Sequence, residues 1–347
     1  MTPANKKRTH FSNSQDQSTM SFALYRRPGG VVFLDDEPDY VEMLAEVMPL
    51  DWFVRLFLRP VACIDLLLQE VPLWEADAWA QQDIINRWRE GASLIPEVLK
   101  YWREDGTARF ALSQVCVVDY SMPAMSGLRV LGELTHWSGA RVLLTGRADE
   151  QLAVSAFNRG LIEQFIPKQS PEIRLRLSSA IETLLRVPSA RHEQIWRATL
   201  SRGQHALISH PDVAQALEKL VLQHGWIEHV VMGAPFGVLA LDSKGAASWL
   251  QLESVANLAE LAEMAESQGW DNATVREIRA GKTVIDLELQ LALGAPHKAA
   301  PRAAFGVGPD SAMLLGAIVP IGESFGPGTT NSHAHFMAGQ GERKLQD

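Results

Sequence analysis

The chain has 347 residues, more than a single domain usually holds, which points to two domains with a core each. Its 41 acidic against 32 basic residues leave a formal charge of -9, which argues against indiscriminate affinity for nucleic acid or anionic membrane. Cys63 and Cys116 sit in apolar runs without metal or redox spacing, and no apolar run approaches the roughly 18 residues of a membrane span, so the composition reads as that of a cytoplasmic protein.

The opening MTPANKKRTHFSNSQDQSTMS is polar and lacks a signal-peptide centre, so residues 1–28 are expected to be a disordered tail. GGVVFLDDEPD (29–39) reads as an apolar strand running into acids, and apolar residues at 41, 44, 47 and 48 then give helical spacing. DWFVRLFL (51–58) is strand-like and RPVACIDLLLQEV (59–71) is helical. The stretch 71–110 carries Trp74, Trp79, Trp88 and Trp102 among charged residues, with the spacing of two or three amphipathic helices. Tryptophans of this kind serve either as an interaction arm for a partner or as pins holding the segment onto the domain before it.

VCVVD (115–119), ARVLLTG (140–146) and IEQFIPK (162–168) are further short apolar runs, with helical patterns at 127–136, 149–159 and 171–186. Strands alternating with helices imply a parallel sheet covered on both faces, and such sheets bind ligands at the carboxyl ends of their strands. Asp35, Asp36, Asp119, Thr145 and Lys168 all fall at those ends. Three gathered carboxylates repel one another unless a cation neutralises them, and oxygen donors without His or Cys favour Mg²⁺ over zinc.

Beyond 186 the chain reads as a helical linker (187–209) and then an α+β domain (210–322). That domain would contain a helix at 210–226, a hairpin at 237–252 turning through DSKG, helical spacing in the 250s to 270s, and strands in TVIDLELQLAL and AMLLGAIVPI. Residues 323–347 are rich in Gly, Ser, Asn and His and are expected to be a disordered tail, in which His333 and His335 make no credible metal pair.

FLDDEPD, VVDYSMPAMSGLRVL, LLTGRAD and FIPKQ, in this order, resemble the receiver domain of bacterial two-component response regulators over residues 29–186. The second segment fits D-x-x-M-P-x-M-x-G, and the spacings of 26 residues from Asp119 to Thr145 and 23 from Thr145 to Lys168 fit as well. The resemblance implies a flavodoxin-like α/β fold with a five-stranded parallel sheet, here carrying a helical insertion at about 71–112 and followed by the small α+β domain, for which a PAS-like module is one candidate. It further implies Asp119 as phosphoacceptor, served by a cognate sensor histidine kinase. Mg²⁺ would be held by Asp35, Asp36, Asp119 and the Ser121 backbone carbonyl. Thr145 and Lys168 would bind the phosphoryl group, Phe165 would be the switch aromatic, and Ser121 and Arg147 would tune dephosphorylation.

Two departures stand out. Gln169 follows the lysine where receivers carry proline, and 83 residues separate Asp36 from Asp119, far more than receivers use. The wording around AFNRGLIEQFIPK and the lack of a standard output also resemble regulators of α-hydroxyketone quorum sensing. The expected function is non-enzymatic: phosphorylation that switches homodimerisation or partner binding. Alternatives are a DNA-binding output drawing on Arg174, Arg176, Arg186 and Arg191, and an output that binds a small molecule or nucleotide.

Overall fold

The computed structural model describes residues 21–347 apart from 105, 147–149, 309–313, 342, 344 and 347. The five expected strands, Gly30–Leu34, Val54–Phe57, Ser113–Asp119, Ala140–Thr145 and Gln164–Pro167, all run parallel. Gly30–Leu34 lies between Val54–Phe57 and Ser113–Asp119, so the strand order reverses there and opens the crevice in which such sheets bind ligands. Side chains alternate between two cores. Val31 and Phe33 meet helices Pro38–Glu46 and Ile173–Arg186 through Val41, Leu44, Leu177 and Ile181. Val32 and Leu34 meet Cys63, Leu67, Leu131 and Ala153 on the opposite face. Burial on both faces is why these strands read as unbroken apolar runs.

The sheet has six strands rather than five. Leu345–Gln346, inside the tail expected to be disordered, adds in parallel to Leu56 and Phe57 at the sheet edge. The tail also forms a helix, His333–Gly339, whose Phe336 packs on Phe53 and Phe110. Arg343 donates to the carbonyls of Ala45, Met48, Pro49 and Trp52. His333 lies against Phe110, ring centroids 5.2 Å apart, in a packing role. A few anchoring side chains order a segment whose composition alone suggests none.

The expectation for 1–28 is corrected over its described part. Phe22, Leu24 and Tyr25 are buried, and Tyr25–Arg26 forms the edge strand of a second, antiparallel sheet; residues 1–20 lie outside the described residues. That sheet continues through Trp226–Gly233, Phe236–Asp242, Ala247–Ser254, Leu314–Pro320 and Phe305–Gly306. The first described strand therefore belongs to the second sheet and the last to the first, so each end of the chain ties one unit to the other. The hairpin turn is as expected: Asp242 Oδ1 accepts from the backbone N–H of Lys244 and Ala246, and Gly245 takes the left-handed conformation at φ 85°.

Two element assignments change. TVIDLELQLAL is strand only over Thr283–Ile285; Leu287–Ala292 is helical. Asp286 at the junction is wholly buried and accepts from Ala300 N and the Arg302 guanidinium, which ends the strand. The helix expected to stop at 71 runs from Pro60 to Arg89, straight through Pro72, a length of about 45 Å. Its start packs Cys63, Ile64 and Leu67 into the parallel unit. Farther along, Ala78, Ile84 and Ile85 join the core of the antiparallel sheet, together with Leu94, Val98 and Trp102 of helix Leu94–Glu104. Trp102 and Trp88 thus pin the insertion to the second unit instead of back onto the first. Trp102 is fully buried, whereas Trp79 is 63 % exposed. No helix among the described residues is long and apolar enough to cross a membrane.

Candidate functional site

Each acid owes its place to a strand end. Gly30–Leu34 stops immediately before Asp35, and Asp119 is the last residue of its own strand. Oxygens of Asp35, Asp36 and Asp119 lie within 4.8 Å of one another, Asp35 and Asp119 buried and Asp36 partly so. The loop after Asp119 turns back tightly: Gly127 N–H donates to the Tyr120 carbonyl at 2.9 Å. A Cβ on Gly127 would stand 2.2 Å from the Asp119 carbonyl oxygen, so the motif's glycine is required by close backbone approach.

Lys168, just past the fifth parallel strand, reaches across to both buried acids, with Nζ 2.6 Å from Asp35 Oδ2 and 2.9 Å from Asp119 Oδ1. The remaining oxygens are held by the backbone: Glu37 N–H donates to Asp35 Oδ1 and Ser121 N–H to Asp119 Oδ2, each at 3.1 Å. Burial pushes the Asp35 carboxyl above its ordinary range despite the hydrogen bond from Lys168. Burial works against the Lys168 charge, but Asp119 and Asp35 more than compensate and its pKa rises. The ammonium also sits 4.6 Å from the Tyr40 ring centroid, a cation–π contact. Tyr40 was not among the expected site residues; only its closeness in sequence to the acids hinted at it.

Thr145 is fully buried and its Oγ1 has no hydrogen-bond partner among the described residues. Its carbonyl accepts from Lys168 N–H at 2.8 Å, tying hydroxyl and ammonium to one rigid strand pair. Phe165 pairs with Leu143 while Thr145 pairs with Pro167, which makes Phe165 and Thr145 diagonal neighbours on one face; Phe165 is half-buried. The turn at Gln169 closes without proline through Ser170 N–H to the Pro167 carbonyl, 3.0 Å. Ser121 is exposed beside Asp119, and Arg147 lies outside the described residues.

The donors suit a hard divalent cation: carboxylate oxygens only, on two acids paired with the Lys168 ammonium and on Asp36. The arrangement can therefore gather an anion, a cation and a carboxylate nucleophile at one sheet edge.

No family model matches the chain, and no curated protein matches it. Among solved structures, the response regulator LqsR of Legionella pneumophila superposes with a TM-score of 0.71 at 19 % identity, over 94 % of this chain and 100 % of that one. The signal receiver domain of an HD domain-containing protein from Pseudomonas fluorescens Pf-5 covers 50 % of this chain and 95 % of its own, at 18 % identity and a TM-score of 0.32. A response regulator receiver domain from Clostridium thermocellum covers 45 % and 94 %, at 18 % identity and a TM-score of 0.29. Along almost its whole length, then, the chain has the fold of the response regulator LqsR: a flavodoxin-like parallel sheet with its helices, joined to an antiparallel α+β unit.

Proposed function

We propose that the chain is a phosphorylation-controlled response regulator that takes a phosphoryl group from a sensor histidine kinase onto Asp119. The observation that carries this reading is the Asp119 carboxylate at the strand-order reversal, 2.9 Å from the Lys168 ammonium and within one cluster with Asp35 and Asp36.

Asp119 would attack phosphorus with a carboxylate oxygen, forming an acyl phosphate as the bond to the donor imidazole breaks. Ser121 N–H fixes one oxygen of the carboxylate and so orients the other. Lys168 would follow the incoming charge from Asp119 to a phosphoryl oxygen. Asp35 and Asp36, with Asp119 and the Ser121 carbonyl, are the groups that would hold Mg²⁺, which supplies positive charge to the phosphoryl oxygens when bound. The unpartnered Thr145 hydroxyl would hydrogen-bond the acyl phosphate, drawing its loop inward with Phe165 following. The next helix, Glu150–Asn158, exposes Leu152, Val154 and Phe157 at 45–50 %, an apolar surface suited to a second copy of the chain. Ser121 and Arg147 are kept as the residues that tune loss of the phosphoryl group.

Nothing comparable favours a DNA-binding output. Of the arginines such an output would draw on, Arg186 pairs with Glu182, while Arg176 bonds Ser170 and Arg191 stacks on Trp79 at 5.3 Å with their charges kept.

Asp119→Asn should abolish phosphorylation by acetyl phosphate in Mg²⁺, read on phosphate-affinity gels. Equal labelling of this variant would remove Asp119 from the role.

A further inference from the structure

Between the antiparallel sheet and the helices over one of its faces lies an open cleft of about 890 Å³, a size that suits a small organic molecule. It stands apart from the acidic site and shares no residue with it. Part of its wall is apolar: Leu261, Met264 and Leu291 line it, the last two about half exposed.

Its charged groups are of one sign. Glu253, Glu260 and Glu288 line the cleft, and no Lys, Arg or His is among its described lining residues. Neither Glu253 nor Glu288 has an ion-pair partner among the described residues. Burial pushes both carboxyls up, Glu253 to about 7, with the Glu288 charge adding to that rise. Gln251, two residues before Glu253 and only 3 % exposed, spends its amide N–H groups internally, donating to Glu253 Oε1 at 3.2 Å and to the Ile285 carbonyl at 3.0 Å. Its Oε1 is left buried with no partner among the described residues. A buried acceptor without a donor is uncommon, and here it stands beside two carboxylates that have no counter-charge.

We propose that this cleft binds a small organic cation, a protonated amine or amidine carried on an apolar body. The ligand's N–H groups would meet Glu253, Glu288 and Gln251 Oε1, while its hydrocarbon would cover Leu261, Met264 and Leu291. Anions, phosphate-bearing ligands included, meet no counter-charge there. A bare divalent ion would use the carboxylates but leave the apolar wall uncovered. The site is also placed to matter for signalling. Trp88, Ala92 and Ser93 line the cleft at the far end of the Pro60–Arg89 helix, whose opening turns are embedded in the parallel unit. The proposal is independent of phosphorylation at Asp119.

The test uses the full chain, thermal unfolding and calorimetric titration near pH 8 in a constant excess of MgCl₂, with 2-phenylethylamine and benzamidine as probes and 2-phenylethanol, phenylacetate and ATP as controls. The amines should raise Tm by about 3 °C or more at millimolar levels, and the controls should not. Glu253→Gln with Glu288→Gln, which keeps side-chain shape, should remove that shift. Met264→Lys, at an exposed position, should remove it by placing the chain's own ammonium in the cleft. An equal shift from the alcohol, an undiminished shift in both variants, or no shift from either amine would each overturn the proposal. A shift confined to phenylacetate or ATP would overturn it too.

Discussion

Arg109 and Glu228 form an ion pair with no exposed surface on either side chain, Nε 3.0 Å from Oε2, although 119 residues separate them. The same guanidinium donates to the carbonyls of Trp102, Gly106 and Asn331. One side chain thereby joins the insertion, the antiparallel strand Trp226–Gly233 and the C-terminal segment. Arg109→Leu leaves Glu228 buried without a counter-charge and should cost about 3–5 kcal/mol in urea unfolding. Glu228→Gln, which can still accept from Arg109, should cost clearly less. Equal and small losses for both would show that the pair does not hold these segments together.

Arg343 illustrates the same economy at the other end of the chain. Its donors meet four carbonyls, that of Ala45 in the last turn of helix Pro38–Glu46 and those of Met48, Pro49 and Trp52 in the loop after it. Arg343→Ala should destabilise by about 2 kcal/mol and speed amide exchange in Val54–Phe57, where Leu345–Gln346 adds its edge. Unchanged exchange in that strand would show that the C-terminal strand docks without its arginine.

Thr145 separates phosphorylation from its consequence. Its hydroxyl has no partner among the described residues, so Thr145→Ala should change stability by less than about 1 kcal/mol. Asp119 would still take a phosphoryl group from acetyl phosphate, but the loop would have nothing to draw it inward. Light scattering of the treated variant should find the mass of the untreated protein while the wild type grows. Phosphorylation-dependent growth that survives the substitution would place the switch elsewhere.

The parallel sheet and its acidic edge were legible because their signals are local. Four of the five apolar runs end in a carboxylate, a hydroxyl or an ammonium, and the turn motif after Asp119 demands Gly127 on steric grounds alone. What stayed hidden depends on contacts between residues far apart. The patterns at 59–71 and 71–110 read as separate helices, yet tertiary packing on both sides of Pro72 carries one helix from Cys63 in one core to Ile85 in the other. Asp286 ends a strand through partners 14 and 16 residues onward, which no periodicity announces. The ordered ends rest on single side chains such as Tyr25 and Arg343 set in polar, Gly-rich sequence, where composition outweighs them in any local reading.

His229 gives the second unit a defined response to acid. The imidazole is fully buried, stacked on Phe22 with centroids 4.7 Å apart, and Nε2 lies 2.9 Å from the Ala23 carbonyl. Burial, with the Arg26 charge nearby, pushes it down to about 3. In the unfolded chain a histidine titrates near 6.5. Between these values the unfolded state holds a proton that the folded state lacks. The stability His229 contributes is therefore complete above the unfolded value and shrinks as pH falls toward 3, by up to about 1.4 kcal/mol per pH unit. Glu253 acts in the opposite sense. Its carboxyl is raised to about 7, so the stability it contributes is complete below the unfolded glutamate value and is lost as pH rises through 7. The two slopes oppose each other between about pH 4.5 and 6.5, so the wild-type curve alone does not resolve either group. Subtracting the curve of His229→Gln, which keeps a donor for Ala23 but has no titrating group, isolates the imidazole. Unfolding free energy should rise less steeply with pH in the variant, by close to one proton's worth across that window. Parallel curves would mean that the folded chain admits the proton and that the Phe22–His229 stack opens below neutrality.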